Sequence, residues 1–386
     1  MNLTQDEEKA LNGEEGEAVA TAYQILTAVG KLTDADRLIP IAHAHVSGAS
    51  YMTIGESGLQ FLESFSSTAR TKVFTTVNPC SIDLQTFQQY HIPTDYVDKQ
   101  LQIVNSYRRI GVTESFTCTP YEGFDLPDKG SHVSWSESSA AIYANSMLGL
   151  RTNRESGLSA LASAVTGKTA YSGLHLDENR RPKLVVRVQG RHVGTMDYSL
   201  LGYFAGKLTD QTLGFSGIDH ISKEEAKSLS AGIGTVGASG MFVLVKQVNN
   251  AEVIDYTSVE RDALLSEFKE TVEGDAIVFG CPQMLTEEVK KLAAAIGKKK
   301  FRRRCIIFCS RRVYDEALAR GDVNKIKNAG GEFLRDSCAD FTPVLRELNT
   351  ESIVTDTCKA VHYIKRVHGI KVSLKSTEEI LKEYLQ

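Results

Sequence analysis

The stretch Asp275–Gly297, DAIVFGCPQMLTEEVKKLAAAIG, followed at 304–321 by RCIIFCSRRVYDEALARG, decides the fold. In each half a short apolar run ends in a polar tip and passes into a segment with helical apolar spacing. That succession is the pattern of parallel strands joined by crossover helices. It continues through EFLRD (332–336) into SCAD, and SIVT (352–355) into DTCKAVHY. IKVSL (370–374) then meets a closing helix whose start is marked by Ser376 and Glu379 as a capping box. In such sheets ligands collect where the carboxyl ends of strands open into loops.

The first half reads similarly. Thr4 and Glu7 form a capping box ahead of the helical AVATAYQILTAVG. RLIPIA (37–42) leads into HAHVSGASYMTIGESG, KVFTTV (72–77) into NPCSID, and ESFT (114–117) into CTPYEG. A middle section places strands KLVVRVQG (183–190) and MFVLVKQV (241–248) around a helical SKEEAKSLSA (222–231). With 386 residues, 42% hydrophobic and 24% charged, the chain suits an ordinary globular protein of two or three lobes. The lobes are expected at 1–182, 183–265 and 266–386. A formal charge of −4 gives no general attraction to nucleic acid or acidic membrane. No apolar run has the length of a membrane span and the acidic start is no signal peptide, so a cytoplasmic protein is expected.

Two motifs carry less than they promise. GIGTVG (232–237) matches G-x-G-x-x-G, but it follows a helix and precedes a strand, the reverse of the dinucleotide arrangement. It reads better as a flexible loop near a ligand. GKKKFRRR (297–304) reads as a solvated connection from helix to strand.

Seven cysteines, an odd number, argue against a disulfide framework and leave core thiols, reactive thiols or metal ligands. Cys305 and Cys309 lie on one face of a strand and suit the core. Cys80 and Cys358 begin loops. Cys118, Cys281 and Cys338 each follow a strand, and no Cys-x2-Cys or Cys/His finger spacing is present. Three such thiolates are either core cysteines or ligands of a cubane iron–sulfur cluster with one iron open. The stretch His132–Ser156, HVSWSESSAAIYANSMLGLRTNRES, adds the single tryptophan, an acid, an amide and two arginines around a small-residue helix. Ser136 is placed to cap that helix, with Glu137 in its first turn.

Six segments together resemble the aconitase X family: AHVSGASYMTIGESGLQFL (44–62), TTVNP (75–79), FTCTPY (116–121), WSESSAAIYANSMLGLRTNRE (135–155), ALASAVTGKTAYSGLHLDENR (160–180) and FGCP (279–282). DSCAD (336–340) and TDTCKAVHY (355–363) are similar to its last two motifs. The resemblance implies an aconitase-like, multi-lobed three-layer α/β architecture with mostly parallel sheets, lacking the swivel domain. It implies a hydro-lyase large subunit holding an iron–sulfur cluster, a 4Fe–4S cubane, on Cys118, Cys281 and Cys338. A separate small swivel-domain subunit, in a heterodimer or heterotetramer, is expected to supply a serine base.

The implied reaction is dehydration of (R)-mevalonate 5-phosphate to trans-anhydromevalonate 5-phosphate, on an archaeal route to isoprenoids. The alternatives are cis-3-hydroxy-L-proline dehydration and a non-catalytic iron–sulfur binding or regulatory role. Glu137 and Lys359 are the catalytic candidates in this chain. His45, Ser47, Gly48, Asn78, Ser136, Asn145, Arg151 and Arg154 are the substrate-binding candidates. The sequence departs from the family in three places. Gln283 stands where His commonly follows the Cys-Pro pair, Asp356 and Thr357 stand where Asn-Ser is common, and Cys80 occupies a position not usually cysteine.

Overall fold

The computed structural model describes residues 1–190, 192, 194–247, 251–268 and 273–386. Its twelve longer-range strands form three parallel sheets. The first contains β1 (His43–Val46), β2 (Phe74–Val77) and β3 (Val133–Trp135), in the order β2-β1-β3. The second contains β4 (Leu184–Val188), β5 (Leu213–Ser216), β6 (Phe242–Leu244) and β7 (Glu252–Tyr256), ordered β6-β5-β4-β7. The third contains β8 (Ala276–Phe279), β9 (Arg304–Cys309), β10 (Gly331–Arg335), β11 (Ser352–Thr355) and β12 (Lys371–Leu374), ordered β10-β9-β8-β11-β12. Leu38–Pro40 and Lys168–Ala170 add a small antiparallel pair.

The third sheet follows directly from the period of two along its strands. Ile277 and Phe279, with Cys305, Ile307 and Cys309, pack on one face against Val289, Leu292 and Val313. Val278, Ile306 and Phe308 pack on the other against Cys358, Val361 and Ile364. Both faces are covered, so the strands are apolar throughout, as parallel sheets require. Cys305 and Cys309 are therefore core residues. The basic run 297–304 is an exposed connection, with Arg302 and Arg303 pairing with Glu273, and Arg304 with Glu332. Capping boxes form at Thr4–Glu7, Ser222–Glu225 and Ser376–Glu379.

Three local expectations fail. HAHV is itself strand β1, and the segment after its tip is a helix, Tyr51–Ser66. ESFT forms no strand; it runs beside β2, where Ser115 Oγ donates to the Val77 carbonyl and accepts from the Val77 N–H. GIGTVG is not a loop, since the helix Lys223–Val236 runs through it. Of the expected strand 241–248, residues 242–244 form β6 and Val248 lies outside the described residues.

The glycines of that motif serve packing. A Cβ on Gly232 would sit 2.4 Å from the Ser199 carbonyl oxygen, and one on Gly202 would sit 2.3 Å from that of Leu229. The helices Gly194–Gly206 and Lys223–Val236 thus cross with backbone against backbone, an approach no larger residue permits. Gly232→Ala is expected to destabilise the chain by about 1–3 kcal/mol, the usual range for overpacking, read as a lower urea midpoint at unchanged slope.

Candidate active site

The carboxyl-terminal tips of β1, β2 and β3 meet those of β8, β10 and β11 around one cavity of about 570 Å³. Ser47 and Gly48 follow β1, Asn78 follows β2, and Ser136 and Glu137 follow β3; all five line the cavity. From the third sheet come Cys281 after β8, Cys338 and Asp340 after β10, and Lys359 after β11. Cys118 and Arg154 complete the predicted residues in the lining.

A buried ion pair spans the two groups of tips. Lys359 Nζ donates to Glu137 Oε1 at 2.7 Å, Ser139 Oγ donates to the same oxygen at 2.9 Å, and Asn78 Nδ2 donates to Oε2 at 2.9 Å. Burial, the largest influence on Glu137, works to raise its pKa. Lys359 and the hydrogen bonds outweigh it and hold the carboxyl at about 2. Burial likewise opposes the charge on Lys359, and Glu137 then leads the influences that raise it well above its ordinary value. Both groups stay charged at neutral pH.

Behind the pair, His45 Nε2 lies 2.7 Å from Asn78 Oδ1, and Nδ1 lies 2.8 Å from Thr76 Oγ1. The Asn78 oxygen accepts here because its nitrogen donates to Glu137, so Nε2 carries the proton. Burial lowers the His45 pKa to about 4, leaving a neutral ring that fixes Asn78. His45 supports the cavity and does not line it. Neighbouring His43 has a pKa lowered to about 3, chiefly by burial, and its Nδ1 accepts from the Trp135 indole at 2.8 Å. This is why the single tryptophan is fully buried there.

The remaining candidates are placed differently. Glu137, not Ser136, is the residue preceding the helix Ser138–Tyr143. Ser136 Oγ instead accepts from the Ser47 N–H and donates to the His45 carbonyl, tying the tip of β3 to that of β1. Asn145 lies outside the cavity, donating to the carbonyls of Thr152 at 2.7 Å and Gly240 at 2.9 Å. Arg151 also lies outside it, held by Asp177 and the His175 carbonyl. Arg154 lines the cavity but donates to the Gly234 and Gly237 carbonyls, neutralising the carboxyl end of helix Lys223–Val236. Cys80 is buried in the first lobe's core and Cys358 in the third's, neither lining the cavity.

The three thiols of the cavity are close enough to act on one another: charge on Cys118 would raise Cys338, and charge on Cys338 would raise Cys281. Burial, the first cause in each case, pushes Cys118 up to about 12 and the other two well above the ordinary range. Cys281 Sγ donates to Asp340 Oδ2 at 3.0 Å, whereas Asp340 Oδ1 is buried without a hydrogen-bond partner. Among the described residues, no three His, Cys, Asp or Glu side chains are arranged to hold a single metal ion. Three separate thiols, two of them buried and that of Cys338 half-buried, fit a cubane's donor set instead.

Asp340 and Gln283 were not anticipated. Asp340 lies within the DSCAD motif, and Gln283 shows in the sequence only as the departure that follows Cys281-Pro282. Gln283 is almost wholly buried among the cysteine-bearing segments.

Comparison with known proteins matches this architecture to one family. Models described as Aconitase X first, second and third domain match residues 1–178, 182–273 and 274–386. A Methanocaldococcus jannaschii protein called phosphomevalonate dehydratase large subunit is 35% identical, over 99% of this chain and 100% of that one. A Thermococcus kodakarensis protein of the same name is 36% identical, over 99% and 100%. A Pseudomonas aeruginosa cis-3-hydroxy-L-proline dehydratase is 29% identical, over 94% of this chain and 66% of that protein. The crystal structure of Thermococcus kodakaraensis aconitase X in its holo-form superposes with a TM-score of 0.93, at 36% identity and full coverage of both chains. The chain belongs to the aconitase X family. Its relatives are dehydratases, and those aligned end to end are large subunits.

The ion pair has a pH signature. The folded carboxyl of Glu137 titrates at about 2, below its ordinary 4.5, so its contribution is present above about 4.5 and is lost as pH falls toward 2. Glu137→Gln leaves Lys359 buried without its ion-pair partner and is expected to cost about 3–5 kcal/mol at pH 7. In urea titrations from pH 7 to pH 3, the gap between wild type and Glu137→Gln should hold to about pH 4.5 and narrow below it.

Proposed function

We propose that this chain is the large subunit of an iron–sulfur hydro-lyase that dehydrates (R)-mevalonate 5-phosphate to trans-anhydromevalonate 5-phosphate. The observation that carries the reading is the meeting of three thiols with the Lys359–Glu137 pair in one cavity. The end-to-end relatives named phosphomevalonate dehydratase large subunit support this substrate over cis-3-hydroxy-L-proline. The expected lobes at 1–182, 183–265 and 266–386 are supported by the grouping of strands into three parallel sheets.

On this reading Cys118, Cys281 and Cys338 hold the cluster. When bound, it supplies a Lewis-acidic iron that polarises the departing hydroxyl. The substrate's hydroxyl is β to its carboxylate, so loss of water also requires removal of a proton from the α carbon. Lys359, ionised and beside the thiols, is the cation available to the carboxylate; Glu137 aims it. A carboxylate with a pKa of about 2 is too weak a base for that carbon proton. Glu137 therefore orients, and the base comes from the small swivel-domain subunit. The Ser47 hydroxyl and the Gly48 N–H offer hydrogen bonds at the opposite wall, held there by Ser136, while Arg154 supplies a second positive charge for a substrate with two anionic groups.

Anaerobic co-expression with the small subunit, then assay on both substrates, tests the proposal. Turnover of mevalonate 5-phosphate is expected, with Lys359→Met lowering kcat/KM at least about a hundredfold, comparable to loss of one electrostatic donor in a preorganised site. Turnover of hydroxyproline alone would overturn the substrate. An iron-loaded complex with no turnover of either would favour the regulatory reading.

A further inference from the structure

The three thiols sit on separate segments from two lobes, and one side chain touches all three segments. Gln283, two residues beyond Cys281, is 1% exposed. Its Nε2 donates to the Phe116 carbonyl at 3.3 Å, two residues before Cys118, and to the Ser337 carbonyl at 3.1 Å, one residue before Cys338. Its Oε1 accepts from the Cys118 N–H at 3.4 Å, and its backbone N–H donates to Cys118 Sγ at 3.2 Å. The amide's orientation is fixed by its surroundings, two carbonyls on the nitrogen side and an N–H on the oxygen side.

Two of the segments it joins carry backbone in the left-handed region. Phe116 holds a left-handed φ of 37° and Asp336 one of 60°, conformations that cost a non-glycine residue energy and persist only where the surroundings impose them. Asp336 has its own tie, since Arg311 binds its carboxylate through Nε at 2.9 Å and Nη2 at 2.6 Å. At Phe116 the tie to the other thiol segments is Gln283. Loss of this amide would leave two carbonyls and one N–H without their partner in a dry place.

We propose that Gln283 is a positioning residue: its side-chain amide sets the mutual register of Cys118, Cys281 and Cys338 and so governs how firmly they grip a cluster. The proposal rests on the iron–sulfur reading above. It predicts that the polar ends of Gln283, not its bulk, carry the effect. Gln283→Met keeps most of the volume and removes every donor and acceptor of the side chain; Gln283→Ala removes both.

The test uses the complex of this chain with its small subunit, purified and reconstituted anaerobically. The readouts are iron and sulfide per chain, the rate of iron loss to a ferrous chelator, the electron paramagnetic resonance of the reduced cluster, and the melting temperature of the metal-free protein. For Gln283→Met we expect a metal-free melting temperature within a few degrees of wild type. Iron loss should be about 10–100-fold faster, the usual effect of removing a residue that orients metal ligands, with an altered resonance. Should the Met variant not fold, Gln283→Leu, which also lacks polar ends, takes its place and is expected to behave the same way. Chelation rates and spectra equal to wild type in folded variants would overturn the role of Gln283 and leave the cluster reading intact. A wild-type complex that retains no iron would overturn both.

Discussion

The site depends on a seam between the tip of β2 in the first lobe and the tip of β10 in the third. The Cys80 N–H donates to the Asp336 carbonyl at 2.8 Å, and the Cys338 N–H donates to the Cys80 carbonyl at 3.1 Å. Beside this backbone pairing, the fully buried carboxylate of Asp83 takes Arg335 through its N–H at 3.0 Å, Nε at 2.8 Å and Nη2 at 3.2 Å. Burial works to raise the Asp83 pKa, yet Arg335 and the backbone N–H groups hold it below its ordinary value. A buried carboxylate is tolerable only when its oxygens are satisfied in this way. The result is a fixed distance between the walls that carry Asn78 and Cys338.

Across the same cavity the charges are set so that few can drift. Lys359 and Glu137 stabilise each other's ionised forms, whereas burial pushes the thiols upward despite the nearby Lys359, so that without a bound cluster they are protonated. A bound cluster would reverse that second condition, because only thiolate ligates, and its binding would release protons. The ion pair would remain as it is. On the proposed reading, this separates a permanent electrostatic frame from a group that arrives and changes its ligands' protonation.

Much of the third lobe was legible because parallel strands covered on both faces leave a continuous apolar signature. DAIVFG, RCIIFC, EFLRD, SIVT and IKVSL all became strands. The first half was harder. HAHV is short and half polar, and its histidines are buried through hydrogen bonds that link residues 31 to 92 positions apart. No local periodicity reports such pairings. GIGTVG misled for a related reason: glycine disfavours a helix in isolation, and only the neighbouring helix, pressed against it, repays the cost.

The cysteines show where sequence reading reaches its limit. Position relative to a strand's end separated Cys305 and Cys309, which alternate into the core, from the five in or beside tips. It could not divide those five. Cys80 follows β2 as Cys281 follows β8, but pairing of its own backbone with Asp336 and Cys338 turns its side chain into the first lobe's core. Cys358 opens the helix Cys358–His368, where its N–H is taken by Ser199 Oγ and its side chain joins the third lobe's core. Lys359, one residue along that helix, is rotated by about a quarter turn and reaches the cavity instead. Which tip residue faces the chemistry is decided by hydrogen bonds between lobes, and those exist only once the chain has folded.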